Sequence, residues 1–147
     1  MPAVQTTYSA THAQWVEGMI PDMQPGNDIT MLAEDVEGIG FGKVCVQGTA
    51  DNQVVDSEAT AKFAGIAVLD TTQPTGKYEQ YANVRVRRKG PIVVSASVAV
   101  AVGDPAYYVP ATGVLTNVAN SGANTLIANA RWDTSTSGAG LAVLFLG

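Results

Sequence analysis

No long window of this chain carries helical periodicity. From Glu37 onward its apolar residues instead recur at every second position, in short runs interrupted by turn signals about every ten residues. Period two sends successive side chains to opposite faces of a strand, so each run needs neighbouring strands for its backbone and an apolar layer for one face. The fold class that follows is all-β: a small antiparallel β-barrel or β-sandwich. The pattern does not choose between the two.

The clearest run is residues 92–102. Val94, Ala96, Val98, Val100 and Val102 share the face expected in the core, and Val93, Ser95, Ser97, Ala99 and Ala101 share the other. Its β-branched residues disfavour helix. Gly103-Asp-Pro105 ends the run, because Pro105 fixes its own φ and Gly103 tolerates a sharp turn. Residues 106–109 and 114–118 form a predicted hairpin through Pro110-Ala-Thr-Gly113. A turn at 120–124 follows, then strands at 125–132 and 141–146 joined by a Ser/Thr/Gly loop.

Upstream, Ile39, Phe41, Lys43 and Cys45 alternate with Gly40, Gly42, Val44 and Val46. Residues 48–57 read as a polar turn. Residues 62–69 read as a strand with Phe63, Gly65, Ala67 and Leu69 on one face and Ile66 and Val68 on the other. After a loop at 70–76, a strand within 78–89 would point Val84 and Val86 inward and Arg85 and Arg87 outward.

Residues 1–30 have no consistent period and form an expected extended N-terminal arm ahead of a β-domain at 31–147. Isolated anchors such as Tyr8, Trp15 and Met19 stand among Thr, Ser, Pro and Gly. Such a segment gains order either by lying on another molecule or by covering its own core.

From Pro91 to Gly147 the charged side chains are Asp104, Arg131 and Asp133 alone, in a class of protein where about a quarter are usual. A surface made polar by hydroxyls and amides costs little to desolvate against a partner and offers little acid–base chemistry. The net charge of −5 argues against nucleic acid or an anionic membrane as partner. No apolar run reaches the ~18 residues of a membrane span. The first residues lack the order of a signal peptide, so synthesis in a reducing compartment is expected.

No catalytic, metal or cofactor-binding residues are expected. His12 is the one histidine and Cys45 the one cysteine, which excludes an intramolecular disulfide and the usual zinc set within one chain. Cys45, between Val44 and Val46, reads as a small buried hydrophobe. Gly38-Ile-Gly-Phe-Gly-Lys43 has the wrong spacing for a phosphate loop, with Val44 where a hydroxyl is required. The loop carboxylates Glu34, Asp35, Glu37, Asp51, Asp56 and Glu58 lack the spacing of a calcium loop. Arg85, Arg87, Arg88 and Lys89 supply four of the eight cations. They form either a solvated strand face or a docking patch for an acidic protein partner.

The order of these features resembles the structural cement, or head decoration, proteins of tailed bacteriophages. Tyr8-Ser-Ala-Thr and Val16-Glu-Gly-Met-Ile20 precede Gly38-Ile-Gly-Phe-Gly-Lys43 and Phe63-Ala-Gly-Ile66. Gly90-Pro-Ile-Val-Val94, Val102-Gly-Asp-Pro-Ala-Tyr-Tyr108, Thr112-Gly-Val-Leu-Thr-Asn117, Ala130-Arg-Trp132 and Gly140-Leu-Ala-Val143 complete it. The resemblance implies a non-enzymatic β-domain, made in the bacterial host cytoplasm and added to the virion surface at junctions of the major capsid (coat) protein. Such proteins commonly act as a homotrimer or homodimer; no cofactor, no direct nucleic acid and no membrane are expected here. Tyr8, Trp15, Met19, Arg85, Arg87 and Arg88 are the candidate coat-protein contacts. The alternative is a virion-surface module recognising a carbohydrate or receptor through loops 117–124 and 134–137. A hydrolase using loop carboxylates is a further rival.

Overall fold

The computed structural model describes residues 15–56 and 62–147. Its strands are β1 (Asn27–Ala33), β2 (Ile39–Gly40), β3 (Val44–Gln47), β4 (Gln53–Val55), β5 (Phe63–Ala67) and β6 (Lys77–Tyr78). They continue with β7 (Asn83–Ala96), β8 (Pro105–Tyr108), β9 (Leu115–Thr116), β10 (Thr125–Trp132) and β11 (Gly140–Leu146). Among the described residues one 3-10 turn lies at Asn120–Gly122.

Strand pairing closes on itself twice. The path β1–β4–β3–β5–β7 returns to β1, and the path β7–β11–β10–β8–β9 returns to β7. Two small circuits therefore share one long strand, which makes the fold a barrel and not an open sandwich. Closure removes the exposed strand edges that would otherwise template aggregation. The pairings are antiparallel apart from β1 with β4 and β7 with β9.

β7 is the spine. Its first half pairs with β1 and β5, and its second half pairs with β11 from Gly90↔Leu146 to Ala96↔Gly140. The sequence suggests a break at Gly90-Pro91, yet the strand runs through it. Gly90 sits at φ +103, a backbone bend that lets one strand serve both circuits.

The run expected to continue to Val102 instead leaves the sheet after Ala96. The backbone N–H and hydroxyl of Ser97 both donate to the Leu115 carbonyl, at 3.0 and 2.7 Å, and turn the chain away. Val100 stays buried, but Val98 and Val102 are 38% and 66% exposed, so the expected five-residue core face is only partly realised.

Two more expectations change. The first strand begins at Asn27, ahead of the Glu37 where alternation becomes visible, and the polar turn contains β4. In β5 the register steps from Cys45↔Gly65 to Val46↔Phe63, inserting one extra residue. Such a bulge inverts the face pattern. Phe63 consequently packs with Ile66 and Val68, and not with Ala67.

The core divides as the circuits do. Met31, Cys45, Val54, Ala67, Val84 and Val86 form one cluster with Ile39 and Tyr78. Ile92, Val94, Tyr108, Ile127, Trp132 and Leu144 anchor the other, which also takes Val44, Val46 and Ile66 from the reverse of β3 and β5. β3 and β5 thus separate two apolar layers, which explains why Val44-Cys45-Val46 is buried on both faces.

Candidate docking surfaces

Cys45 lies on β3 in the smaller core cluster. It is fully buried, and its thiol is pushed up to about 12 by burial, with Asp56 adding to the effect. A thiol reagent should find no reactive sulfhydryl in the folded protein and one per chain after denaturation; rapid native labelling would mean that β3 opens readily. Among the described residues no group of three or more His, Cys, Asp or Glu side chains could hold a metal ion. No described helix is long and apolar enough to cross a membrane.

The basic cluster on β7 resolves into three different roles. Asp28 of β1 lies opposite Arg87 in the antiparallel register. Its carboxylate accepts from Arg87 Nη1 at 3.0 Å, and from Arg85 Nη2 and Nε at 2.6 and 2.8 Å. Arg85 keeps a side chain 54% exposed, whereas that of Arg87 is 5% exposed. Arg87, expected to point outward, is therefore buried. A Cβ at either Gly26 or Gly90 would run into its guanidinium, so these two glycines shape the slot that holds it. Arg88 and Lys89 remain exposed.

Arg88 reaches an open groove of about 520 Å³ between the two circuits. Lys62 and Phe63, Leu126 of β10, Tyr108 of β8 and Leu146 of β11 line it with Arg88. Leu126 is 52% exposed. No period in the sequence joins these residues, because they come from different circuits and meet only through closure.

Of the leading segment, Tyr8 and His12 lie outside the described residues. Trp15 and Met19 are half-buried. Gly18 N–H donates to the Val93 carbonyl at 2.7 Å, and Val93 N–H donates to Met19 at 2.9 Å. Leu69 N–H donates to Gly18 at 2.9 Å, Glu17 pairs with Lys43 at 2.9 Å, and Ile20 packs on the larger core cluster. Residues 17–20 thus clip the chain onto β7. Gly18 is required there, since a Cβ would press on Gly42 N and Phe41 at its φ of +86.

The far end of the β1–β7 ladder has a different chemistry. Tyr81 N–H donates to Ala33 at 2.7 Å and the Gln80 amide donates to the Glu34 carbonyl at 3.2 Å, which fastens loop 79–82 beside loop 34–37. Val36 and Tyr81 are 76% and 67% exposed at its tip. The same loops carry Glu34, Asp35, Glu37 and Glu79, none of which makes a salt bridge among the described residues, and Lys77 Nζ donates to the Glu37 carbonyl at 2.6 Å. Hydrogen bonds from Thr49 hold the Glu34 carboxyl below its usual range.

Loops 117–124 and 134–137, which the carbohydrate reading would need, are tied inward. Asn117 donates to Asp104 at 2.8 Å, and the Thr134 and Thr136 hydroxyls accept from Val143 and Val100 N–H. These groups fix the ends of the loops on the barrel.

A family model described as "Structural cement protein (E217 gp24/Pam3 gp6)" matches residues 4–147. No curated protein sequence matches. A chain of "The capsid of Myoviridae Phage XM1" superposes with a TM-score of 0.75 at 17% identity, covering 95% of this chain and 94% of that one. A chain of "The crystal structure of head fiber gp8.5 N base in bacteriophage phi29" gives 0.51 at 13% identity, covering 82% and 93%. At such identities the structural likeness is one of fold.

Proposed function

This chain belongs to the phage structural cement protein family, and from that premise we propose that it binds the outside of an assembled phage head at coat-subunit junctions and stabilises the shell without catalysis. The observation that carries the proposal is the family match, which spans residues 4–147 and so takes in both circuits and the clipped segment. A ligand that binds the assembled shell but not separated coat subunits shifts the equilibrium towards the shell by mass action. That requires a complementary surface and no reaction.

In this reading the leading segment, with Tyr8, Trp15 and Met19, contributes apolar anchors of the kind that dominate interface energy. The clip at residues 17–20 gives those anchors a fixed point of departure from the barrel. Arg85 supplies an exposed cation held in place by Asp28, while Arg87 acts from within. A homotrimer or homodimer would multiply weak contacts through effective concentration.

The test is sedimentation of the purified protein with heads that lack it. Saturable co-sedimentation at a fixed ratio to coat protein, together with greater resistance of the heads to heat or chelators, is the expected result. Heads that pellet without the protein would remove the proposal. Arg85→Ser should weaken attachment roughly two- to fivefold at low salt, with the difference vanishing as exposed charges are screened. Equal salt dependence of the two proteins would exclude Arg85 from the contact.

A further inference from the structure

We propose that copies of this chain join head to tail, the Val36–Tyr81 tip of one seating in the Phe63–Leu126 groove of the next. The two surfaces are complementary in both shape class and charge. The tip exposes Val36 and Tyr81 in loops that also carry Glu34, Asp35, Glu37 and Glu79; the groove is lined by Phe63, Leu126 and Ile127 together with Lys62 and Arg88. Neither Lys62 nor Arg88 makes a salt bridge among the described residues, and neither do the four carboxylates. The tip keeps an excess of negative charge even with Lys77, whose Nζ donates to the Glu37 carbonyl at 2.6 Å, and Lys62 and Arg88 of the groove can satisfy that excess.

Tyr81 is the reason to single out this tip. Its backbone lies at φ +66, a region that bulky residues rarely occupy, and its side chain is largely exposed. Folding draws little from a ring in that position. A partner that buries it would draw a great deal, since tyrosine is among the residues that dominate protein contacts. The groove, about 520 Å³ and open, has room for a tyrosine ring.

Placement determines the geometry of assembly. Asn27↔Lys89 marks the groove end of the β1–β7 ladder and Leu32↔Asn83 the tip end. The ends are separated by the length of β1, roughly 20 Å. Tip against tip would oppose carboxylates, and groove against groove would oppose cations, so the charges disfavour a twofold contact through either surface. A head-to-tail contact is heterologous: it closes into a ring or runs on as a row. This inference concerns copies of the chain and is read without shells, so failure of head binding and failure of this contact are separate results.

The experiment is analytical ultracentrifugation of the full chain across concentration and salt, with three variants. Tyr81→Asn removes the ring while Asn tolerates the left-handed backbone, so the fold should be kept or slightly stabilised. It should weaken self-association at least tenfold, as should Arg88→Glu. Combining Arg88→Glu with Glu37→Arg in one chain should restore association to within about threefold of the parent. A parent protein that stays monomeric up to on the order of 100 µM overturns the proposal. So does association that Tyr81→Asn and Arg88→Glu leave unchanged, or a charge swap that gives no recovery.

Discussion

Arg87→Ser should lower the stability of the fold by about 3 kcal/mol, while Arg85→Ser lowers it by less than about 1 kcal/mol. Both guanidinium groups bind the same Asp28 carboxylate, so the contrast isolates burial. The Arg87 side chain is 5% exposed and that of Asp28 15% exposed, and removing the cation leaves a shielded carboxylate with only the half-solvated Arg85. The slot bounded by Gly26 and Gly90 would also empty, adding lost packing to lost charge. Arg87 Nε is buried without a hydrogen-bond partner among the described residues, so the pair is not optimised for stability. Arg87→Met with Asp28→Asn should accordingly recover at least half the loss, as removing both charges of a buried pair often does. Chemical denaturation of the three proteins measures this. An Arg87→Ser variant within 1 kcal/mol of the parent would show that solvent already reaches the slot.

What the sequence discloses here is what local chemistry decides. The hairpin of β8 and β9 stands where Pro110 and Gly113 place it, with Val109 N–H donating to Val114 at 2.9 Å. β10 and β11 occupy their expected bounds almost to the residue, although β10 breaks alternation at Asn129, where φ is +61. What stays hidden is decided by partners far along the chain. Gly90-Pro91 carries every local mark of a break, but pairing with β11 and β1 on either side of it holds β7 together. The Asp28–Arg87 pair joins residues 59 apart, which no local period encodes. Arg87 alternates with Val86 in the usual way and so reads as solvent-facing, yet the layer over it, Gly26 with Gly90, turns that face into a second interior. The groove is hidden for the same reason, since Phe63 reaches it through a bulge and Leu126 from the other circuit. Tyr81 and Val36 lie in loops with no alternation to mark their exposure.

Deleting residues 1–14 and deleting residues 1–23 should separate attachment from folding. The shorter deletion removes Tyr8 and leaves the clip, so it should remain within about 1 kcal/mol of the parent and lose most of its binding to heads. The longer deletion also removes Glu17, Gly18, Met19 and Ile20. Val93 then loses partners for both its N–H and its carbonyl, Leu69 N–H loses Gly18, and the larger core cluster loses the cover of Ile20. Three backbone hydrogen bonds at about 1 kcal/mol each and a half-buried isoleucine at ~1 kcal/mol oppose the entropy of ordering only a few residues. The expected net loss is about 2 kcal/mol, seen as earlier unfolding in urea. Val93 sits mid-strand in β7, which both circuits share, so the loss should appear as one cooperative transition and not as fraying. A 1–14 deletion that decorates heads as fully as the parent would take Tyr8 out of the contact and leave the barrel surface to carry attachment. A 1–23 deletion as stable as the parent would mean that residues 17–20 rest on β7 without supporting it.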